Sequence, residues 1–465
     1  MQSLLIILSF FFVTFTDKGD SKHIALSHEA LELRDQRGIA IDSLDYAVCP
    51  AYLEGLREAG ARVCYASRWM NGATIEATHE AVEVIEGLPY VASIEKTHQP
   101  ITEMREPIRK FVMENRAAQA VDWHKQIELF NLHRLHELGY KGQGITIAVV
   151  DVGFRNLNTL TVFDSIRNNG QLLGTYDFAD EVTEFYGEGS EHGSMCLGLI
   201  AANREDYQGA ANQAKFYAIR SEEVSTESPK EADNWIAAVE LSDSLGVWII
   251  STSLGYSVFD LTKWNYEYES LDGKTYRASR AAEIAAAKGL LLCTAAGNSR
   301  ATDWPWVNVP GDSDGCLTIG AVDKDSVVTS FSSKGLLPEN RVKPDLCAQG
   351  KGCCIVNTGS DQLQSGNGTS FATPLTAGLA ACLWSAFPQE SNMQIRERIV
   401  RSAHKYLNAD GDYGYGIPDA WKAYKQTLST PIVPTTQENV RKILRNGHVV
   451  IERNGVEYSI LGQEL

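Results

Sequence analysis

An α/β fold with a mostly parallel central sheet is predicted for the main body of this chain, residues 141–427. A small α+β unit precedes it and a short β unit follows. Two observations carry the prediction. Short apolar runs at 145–150, 216–219, 247–250, 290–293 and 317–322 alternate with helical patterns. Each run is continuously apolar instead of alternating, which suits parallel strands covered by helices on both faces. The 465 residues allow about two or three domains. With 44% hydrophobic and 22% charged residues, wholesale disorder and collagen-like repeats are excluded.

The remaining segments follow in chain order. Residues 4–15 are apolar apart from Ser9 and Thr14. The run has the length of a signal-peptide core and is too short to span a bilayer, so residues 1–16 are expected to be an export segment. No Lys or Arg precedes the run, and Thr14 and Thr16 fit a small-x-small cleavage site poorly, which leaves a buried strand as the other reading. Residues 17–110 mix helical patterns (50–60 and 75–86) with strand-like pieces (61–65 and 90–95), giving the small α+β unit. Residues 111–140 form a charged, largely helical connector. Residues 428–439 are a Pro/Thr-rich linker. Residues 440–465 read as a hairpin turning at Asn454-Gly455.

The net charge of −17 repels phosphate, and no basic patch offsets it, so nucleic acid is not an expected partner. No run of 18 or more apolar residues follows the N-terminus, so no integral membrane span is expected. Of nine cysteines, Cys196, Cys293 and Cys382 sit inside apolar stretches as small hydrophobes. No C-x-x-C pair occurs, which argues against zinc and thioredoxin-like chemistry. One or two disulfides stay open for an exported chain.

Four elements of the main body carry chemistry. Asp151 ends an apolar strand, where open α/β sheets place their ligands. His192 opens an apolar helix and is the only histidine between His136 and His404, so it alone can supply imidazole base chemistry inside the core of this body. Ser370 follows a Gly-rich loop at the start of a long apolar helix, where free N–H groups and the helix dipole favour an anion. Asn298 ends Leu-Leu-Leu-Cys-Thr-Ala-Ala-Gly-Asn, where its amide can supply a second oxyanion donor. Taken singly, each has a plainer reading as a cap or turn residue.

The order Asp, His, Asn, Ser, with spacings of 41, 106 and 72 residues, resembles the subtilisin family. Gly-Thr-Ser370-Phe-Ala-Thr-Pro is close to that family's GTSxAxP signature. His192-Gly-Ser-Met, Ala-Ala-Gly-Asn298, Phe331-Ser-Ser-Lys-Gly and Tyr413-Gly-Tyr-Gly-Ile-Pro-Asp-Ala-Trp resemble further blocks. The resemblance covers about residues 140–427. It implies a subtilisin-like three-layer fold and a serine endopeptidase with a triad of Asp151, His192 and Ser370. It implies Asn298 in the oxyanion hole, and Ser253, Leu254, Gly255, Ala295, Ala296 and Gly297 along the substrate. Two residues depart from the family. Val152 stands where Ser or Thr usually supports the carboxylate. Tyr256 stands where a second Gly is common, and its ring is expected to narrow the substrate subsites.

The resemblance also implies that residues 17–110 are an inhibitory prodomain, cleaved somewhere between 98 and 120, with Met113-Glu-Asn-Arg-Ala-Ala as a site. The implied partners are protein or peptide substrates and the chain's own prodomain. The implied place is outside the cytoplasm: secreted, periplasmic or at the cell surface. The tail from Asn446 resembles short C-terminal sorting hairpins of type IX secretion. No cofactor is required. The family allows structural calcium, but no site is assignable, since Tyr413 stands where the loop of Asn408, Asp410 and Asp412 would need Gly for an EF-hand. The alternatives are a catalytically impaired relative that acts by binding, and a specialised processing protease.

Overall fold

A computed structural model of the chain describes residues 8–99, 122–179, 185–335 and 337–427 in full, and the backbone of 440–445, 448–453 and 456–458. Two compact units divide it, Met1–Gln426 and Thr427–Leu465.

The first unit opens on β1 (Ser9–Phe15), α1 (His28–Gln36), α2 (Pro50–Glu58), β2 (Arg62–Ser67), β3 (Gly72–Ala77), α3 (His79–Glu86) and β4 (Val91–His98). The four strands form an antiparallel sheet in the order β2-β3-β1-β4. β1 is an inner strand, with Phe11 opposite Ile75 of β3 and Val13 opposite Ile94 of β4. Phe11, Val13 and Phe15 pack with Leu56 and Ile85 in one core. On the other face, Phe12 and Phe10 lie under Arg277 and Lys230 of the main body, at 4.6 Å and 4.7 Å.

This arrangement corrects the start of the α+β unit at 17, because residues 9–15 of the run expected to lead export form its inner strand β1. The run is apolar because both faces of an inner strand are covered. The helical pattern at 75–86 is corrected too, because residues 75–77 end β3 and the helix starts only at His79, capped by Thr78.

Two short helices, α4 (Trp123–Glu128) and α5 (His133–Glu137), lead into the main body and bury Ile127 and Leu135 in its core. Residues 111–121 of the expected connector lie outside the described residues. The body then runs through β5 (Thr146–Asp151), α6 (Asp164–Asn168), β6 (Leu172–Asp177), α7 (Glu191–Ala201), β7 (Asn203–Arg204), β8 (Tyr207–Gln208), β9 (Lys215–Arg220), α8 (Pro229–Ser244), β10 (Ile249–Thr252) and α9 (Arg277–Ala287). It closes with β11 (Leu291–Ala295), β12 (Cys316–Val322), β13 (Leu346–Gln349), β14 (Lys351–Val356), β15 (Leu363–Asn367), α10 (Thr369–Ala386), α11 (Asn392–Ser402) and α12 (Ala420–Lys425).

Seven strands form a parallel sheet ordered β13-β12-β11-β10-β5-β9-β6. Successive strand residues feed opposite faces. Ile147, Val149 and Cys293 join α7 and α10 in one core. Ala148, Val150 and Leu292 join α8 and α9 in the other. The result is the predicted α/β architecture of three layers. All nine cysteines are free thiols, and all except Cys64 are buried. No described helix is long and apolar enough to cross a membrane.

The N-terminal sheet lies over α8, which is therefore buried on two sides. Trp235, Ala238 and Val239 of α8 face the main-body core. On the other side, Tyr65 bonds Asn234, and Ser67 and the Arg68 N–H both bond Glu240. A network of buried charges closes this contact. Asp243 pairs with Arg34 at 2.8 Å and with Arg68 at 2.5 Å, and Lys288 reaches Asp45 at 2.7 Å. Burial pushes the Glu240 carboxyl upward, against the pull of Arg68. Truncating Asp243 takes one carboxylate from each of two buried guanidinium groups and leaves Arg34 with Asp45 and Arg68 with Glu240. Asp243→Ala is therefore expected to destabilise the uncleaved chain by roughly 2–3 kcal/mol, read as a lower urea midpoint at unchanged slope. A loss below about 1 kcal/mol would show that water or neighbouring groups take over the pairing.

The second unit is a three-stranded antiparallel sheet of β16 (Val440–Arg445), β17 (His448–Arg453) and β18 (Val456–Tyr458). β17 and β18 are the expected hairpin strands. The expected linker and the turn at Asn454-Gly455 lie outside the described residues.

Candidate active site

The C-terminal ends of the central strands gather the residues singled out by sequence. Asp151 ends β5 and is fully buried. Its Oδ1 accepts the Val152 N–H at 2.8 Å and lies 2.7 Å from His192 Nδ1. Its Oδ2 is buried with no hydrogen-bond partner among the described residues, so the hydroxyl that Val152 lacks has no substitute there. His192 is the second residue of α7, and Gly193 lets that helix approach. A methyl built on Gly193 would stand 2.3 Å from Gly153 O and 2.9 Å from Asp151 Cβ. Any side chain at 193 would push the imidazole off the carboxylate.

Ser370 is the second residue of α10. Its hydroxyl donates to Ser253 O at 3.4 Å, and the Ser253 hydroxyl donates to Ser370 O at 2.8 Å. Cys196, one turn along α7 from His192, ties the two helices together. Its sulfur is 3.8 Å from His192 Nδ1 and donates to Ser370 O at 3.4 Å. Burial pushes this thiol up, so it stays protonated. The His192 and Phe371 rings are 5.9 Å apart, which sets the imidazole over the first turn of α10.

Asn298 follows β11 and is exposed. Its Oδ1 accepts the Thr369 N–H at 2.9 Å and the Thr369 hydroxyl at 3.0 Å, which turns Nδ2 the other way. A methyl built on Gly368 would stand 3.6 Å from Ser370 N and 3.7 Å from Asn298 Nδ2, so both donors border one small volume. A hydroxyl at a helix start, a buried carboxylate–imidazole pair and two N–H donors on one volume together suit acyl transfer.

Ser253, Leu254 and Gly255 leave β10 on one side of Ser370. Ala295 ends β11, and Ala296 and Gly297 leave it on the other, with the Gly297 N–H donating to Thr369 Oγ1 at 3.2 Å. Tyr256 corrects an expectation. Its ring is buried in the core with Trp235 and Phe259, and its hydroxyl donates to Glu222 at 2.6 Å, so it anchors the segment from below and does not narrow the cleft. Sequence reasoning missed Thr369 and Cys196 as supports. Their only signal was adjacency to Ser370 and a one-turn spacing from His192.

Calcium finds poor accommodation in the acidic groups. The oxygens of Glu222, Glu227 and Glu231 lie within 4.8 Å of one another. Both Glu231 oxygens already accept backbone N–H groups, from Glu223 and Ser228 at 2.9 Å each. Asp410 is likewise committed to Lys405 and to the N–H groups of Asp412 and Tyr413. These residues do not fit a calcium cage.

A sequence model of the Subtilase family matches residues 142–416, and a model described as the Peptidase S8 propeptide domain of Bacteroidota matches residues 10–111. The second match begins inside the run expected to lead export. The chain is similar to serine protease AprX of Bacillus subtilis, 28% identical over 311 residues, covering 60% of this chain and 66% of that protein. It is also similar to subtilisin E of Bacillus subtilis, 28% identical over 371 residues, covering 78% of this chain and 83% of that protein. A thermostable alkaline protease of Halalkalibacterium halodurans is 30% identical over 308 residues, covering 66% and 74%.

Proposed function

This chain belongs to the subtilase family of serine peptidases, and we propose that it hydrolyses peptide bonds within proteins through Ser370, His192, Asp151 and Asn298. The observation that carries the reading is the shared volume bordered by Asn298 Nδ2 and Ser370 N, beside a hydroxyl and a buried Asp–His pair. Rotation of the Ser370 hydroxyl from Ser253 O to the imidazole starts the reaction. Such bonds are often long before substrate arrives. Ser370 Oγ attacks the carbonyl carbon as His192 takes its proton. Asp151 holds the ring tautomer and stabilises the imidazolium. The carbonyl oxygen, now an anion, is held by Asn298 Nδ2 and Ser370 N–H. His192 then protonates the amine that leaves. Water repeats the sequence on the acyl-enzyme, and Ser370 recovers its proton. These side chains handle every bond and proton without a cofactor.

Asn298→Ala should lower kcat on casein or a peptide anilide by roughly 10²–10³ with little change in KM. A loss below about threefold would remove Asn298 from the oxyanion hole.

The N-terminal unit acts as the intramolecular inhibitor, and the chain severs it between residues 98 and 120. Its buried ion pairs with α8 support this role, because they hold the unit on the peptidase body before cleavage. The enzyme works outside the cytoplasm, where such a latent form protects the producing cell. The antiparallel tail, by its resemblance to sorting hairpins, serves as the export address.

A further inference from the structure

On the reading that the chain severs its N-terminal unit, we propose that the peptidase body carries a second binding site, at the far end of its sheet from Ser370, for a helix that ends in two arginines three residues apart. In the uncleaved chain α1 fills it. An inhibitor must leave before turnover begins, and its departure opens the site to such a segment of a substrate protein.

The loop that carries α1 is held by the body and not by its own unit. It closes on itself, with Ala25 N–H on Asp45 O and Ala47 N–H on His23 O at 2.9 Å each. No residue of 17–47 joins the core under the N-terminal sheet, whereas Leu44 packs against a core of the main body. The holding surface is where α8 and α9 end. Ser27 N–H donates to Ser244 O at 2.8 Å, and Arg34 Nη2 donates to both oxygens of Asp243 at 2.8 Å. Arg37, which closes α1, donates to Gly289 O at 2.7 Å just past α9. Its guanidinium carbon lies 4.2 Å from the Trp248 ring centroid and 4.7 Å from that of Trp384. Those rings meet edge to face at 4.9 Å, a corner that suits a planar cation. A methyl built on Gly246 would stand 3.1 Å from Ala30 N, and one on Gly289 would stand 3.2 Å from Arg37 Nη1, so both helix ends are bare enough for α1 to lie against them. The partial negative charge at helix C-termini favours the arginines further.

Departure of the N-terminal unit takes Arg34 and Arg68 from Asp243 and Glu240, and Arg37 from the two tryptophans. The carboxylates, the Gly289 carbonyl and the aromatic corner remain on the body. Lys288 loses Asp42 and Asp45 together, so the matching ligand also carries an acidic turn after its arginines. Charge complementarity makes the occupant a cationic helix, and a chain of net charge −17 draws such segments from a distance. Ser370 lies in the first turn of α10 and Trp384 in its last, a helical rise of about 20 Å. Occupation therefore leaves the cleft free and retains a protein substrate on the same body.

The test uses processed wild-type enzyme, freed of its N-terminal unit by gel filtration, and two fluorescent probes. One is an alanine-rich helix closed by residues 34–45 of this chain, and the other is its copy with alanine for both arginines. By anisotropy the arginine helix should bind at least about tenfold tighter. At saturation it should leave kcat/KM for an anilide within about twofold. Trp248→Leu and Asp243→Asn should each weaken its binding about tenfold, with anilide turnover within about twofold of wild type to show that the body is folded. Equal binding of the two helices, an arginine helix that competes with the anilide, or unchanged affinity in both variants would overturn the proposal. A chain that never sheds its N-terminal unit would remove the processing reading and the proposal together. Anilide turnover by a processed enzyme that ignores the arginine helix would remove the proposal alone.

Discussion

Ser370→Ala is expected to lower kcat/KM by roughly 10⁴–10⁶, leaving only the rate that the oxyanion donors and binding provide. The variant deletes the one hydroxyl placed between Ser253 O and the imidazole helix. Its structural cost should be small. Ser370 sits in the first turn of α10, where its hydroxyl makes one long bond of 3.4 Å to Ser253 O. The Ser253 hydroxyl keeps its partner, the backbone oxygen of residue 370. The variant should therefore fold, bind its own N-terminal unit and remain at 51.2 kDa, while wild type converts to a species of ~40 kDa at roughly 110 Da per residue. Mass spectrometry of both purified proteins checks processing, and an anilide assay checks turnover. A variant that still processes itself would place the nucleophile elsewhere. A folded wild type without turnover would favour the binding-protein alternative.

Asp151→Ala carries the second large effect, a fall in kcat of roughly 10⁴. The carboxylate is fully buried and 2.7 Å from His192 Nδ1, so removal frees the ring to take the wrong tautomer and leaves the imidazolium without its counter-charge. Asp151→Asn separates these two contributions. One oxygen, Oδ1, receives both the Val152 N–H and the imidazole, so an asparagine that keeps oxygen there preserves the tautomer and loses only the charge. It should recover part of the alanine loss. Equal losses in the two variants would assign the whole effect to charge. Circular dichroism on each variant separates catalytic loss from unfolding.

The architecture was readable because parallel strands sealed on both faces leave continuous apolar runs, and five of the seven main strands carry one. The two strands missed lie at the edges of the sheet. β6, Leu-Leu-Gly-Thr-Tyr-Asp, alternates in burial because one face meets solvent. β13 has only four residues. The same physics gives the N-terminal run two readings. An inner strand of a small sheet clamped between two cores has the apolarity and length of a signal-peptide core, and only its pairing with β3 and β4 distinguishes the two.

Asp151, His192, Asn298 and Ser370 were legible because each sits at the junction of an apolar run and a Gly-rich or small-residue turn. Tyr256 was misjudged because sequence gives its size but not its direction.

The most direct measurement is the site of attachment of a fluorophosphonate on the processed wild-type enzyme, read by tandem mass spectrometry of its peptides. A single adduct is expected, on Ser370, with hydrolysis lost in proportion to labelling. An adduct on another residue, or turnover that survives complete labelling of Ser370, would contradict it.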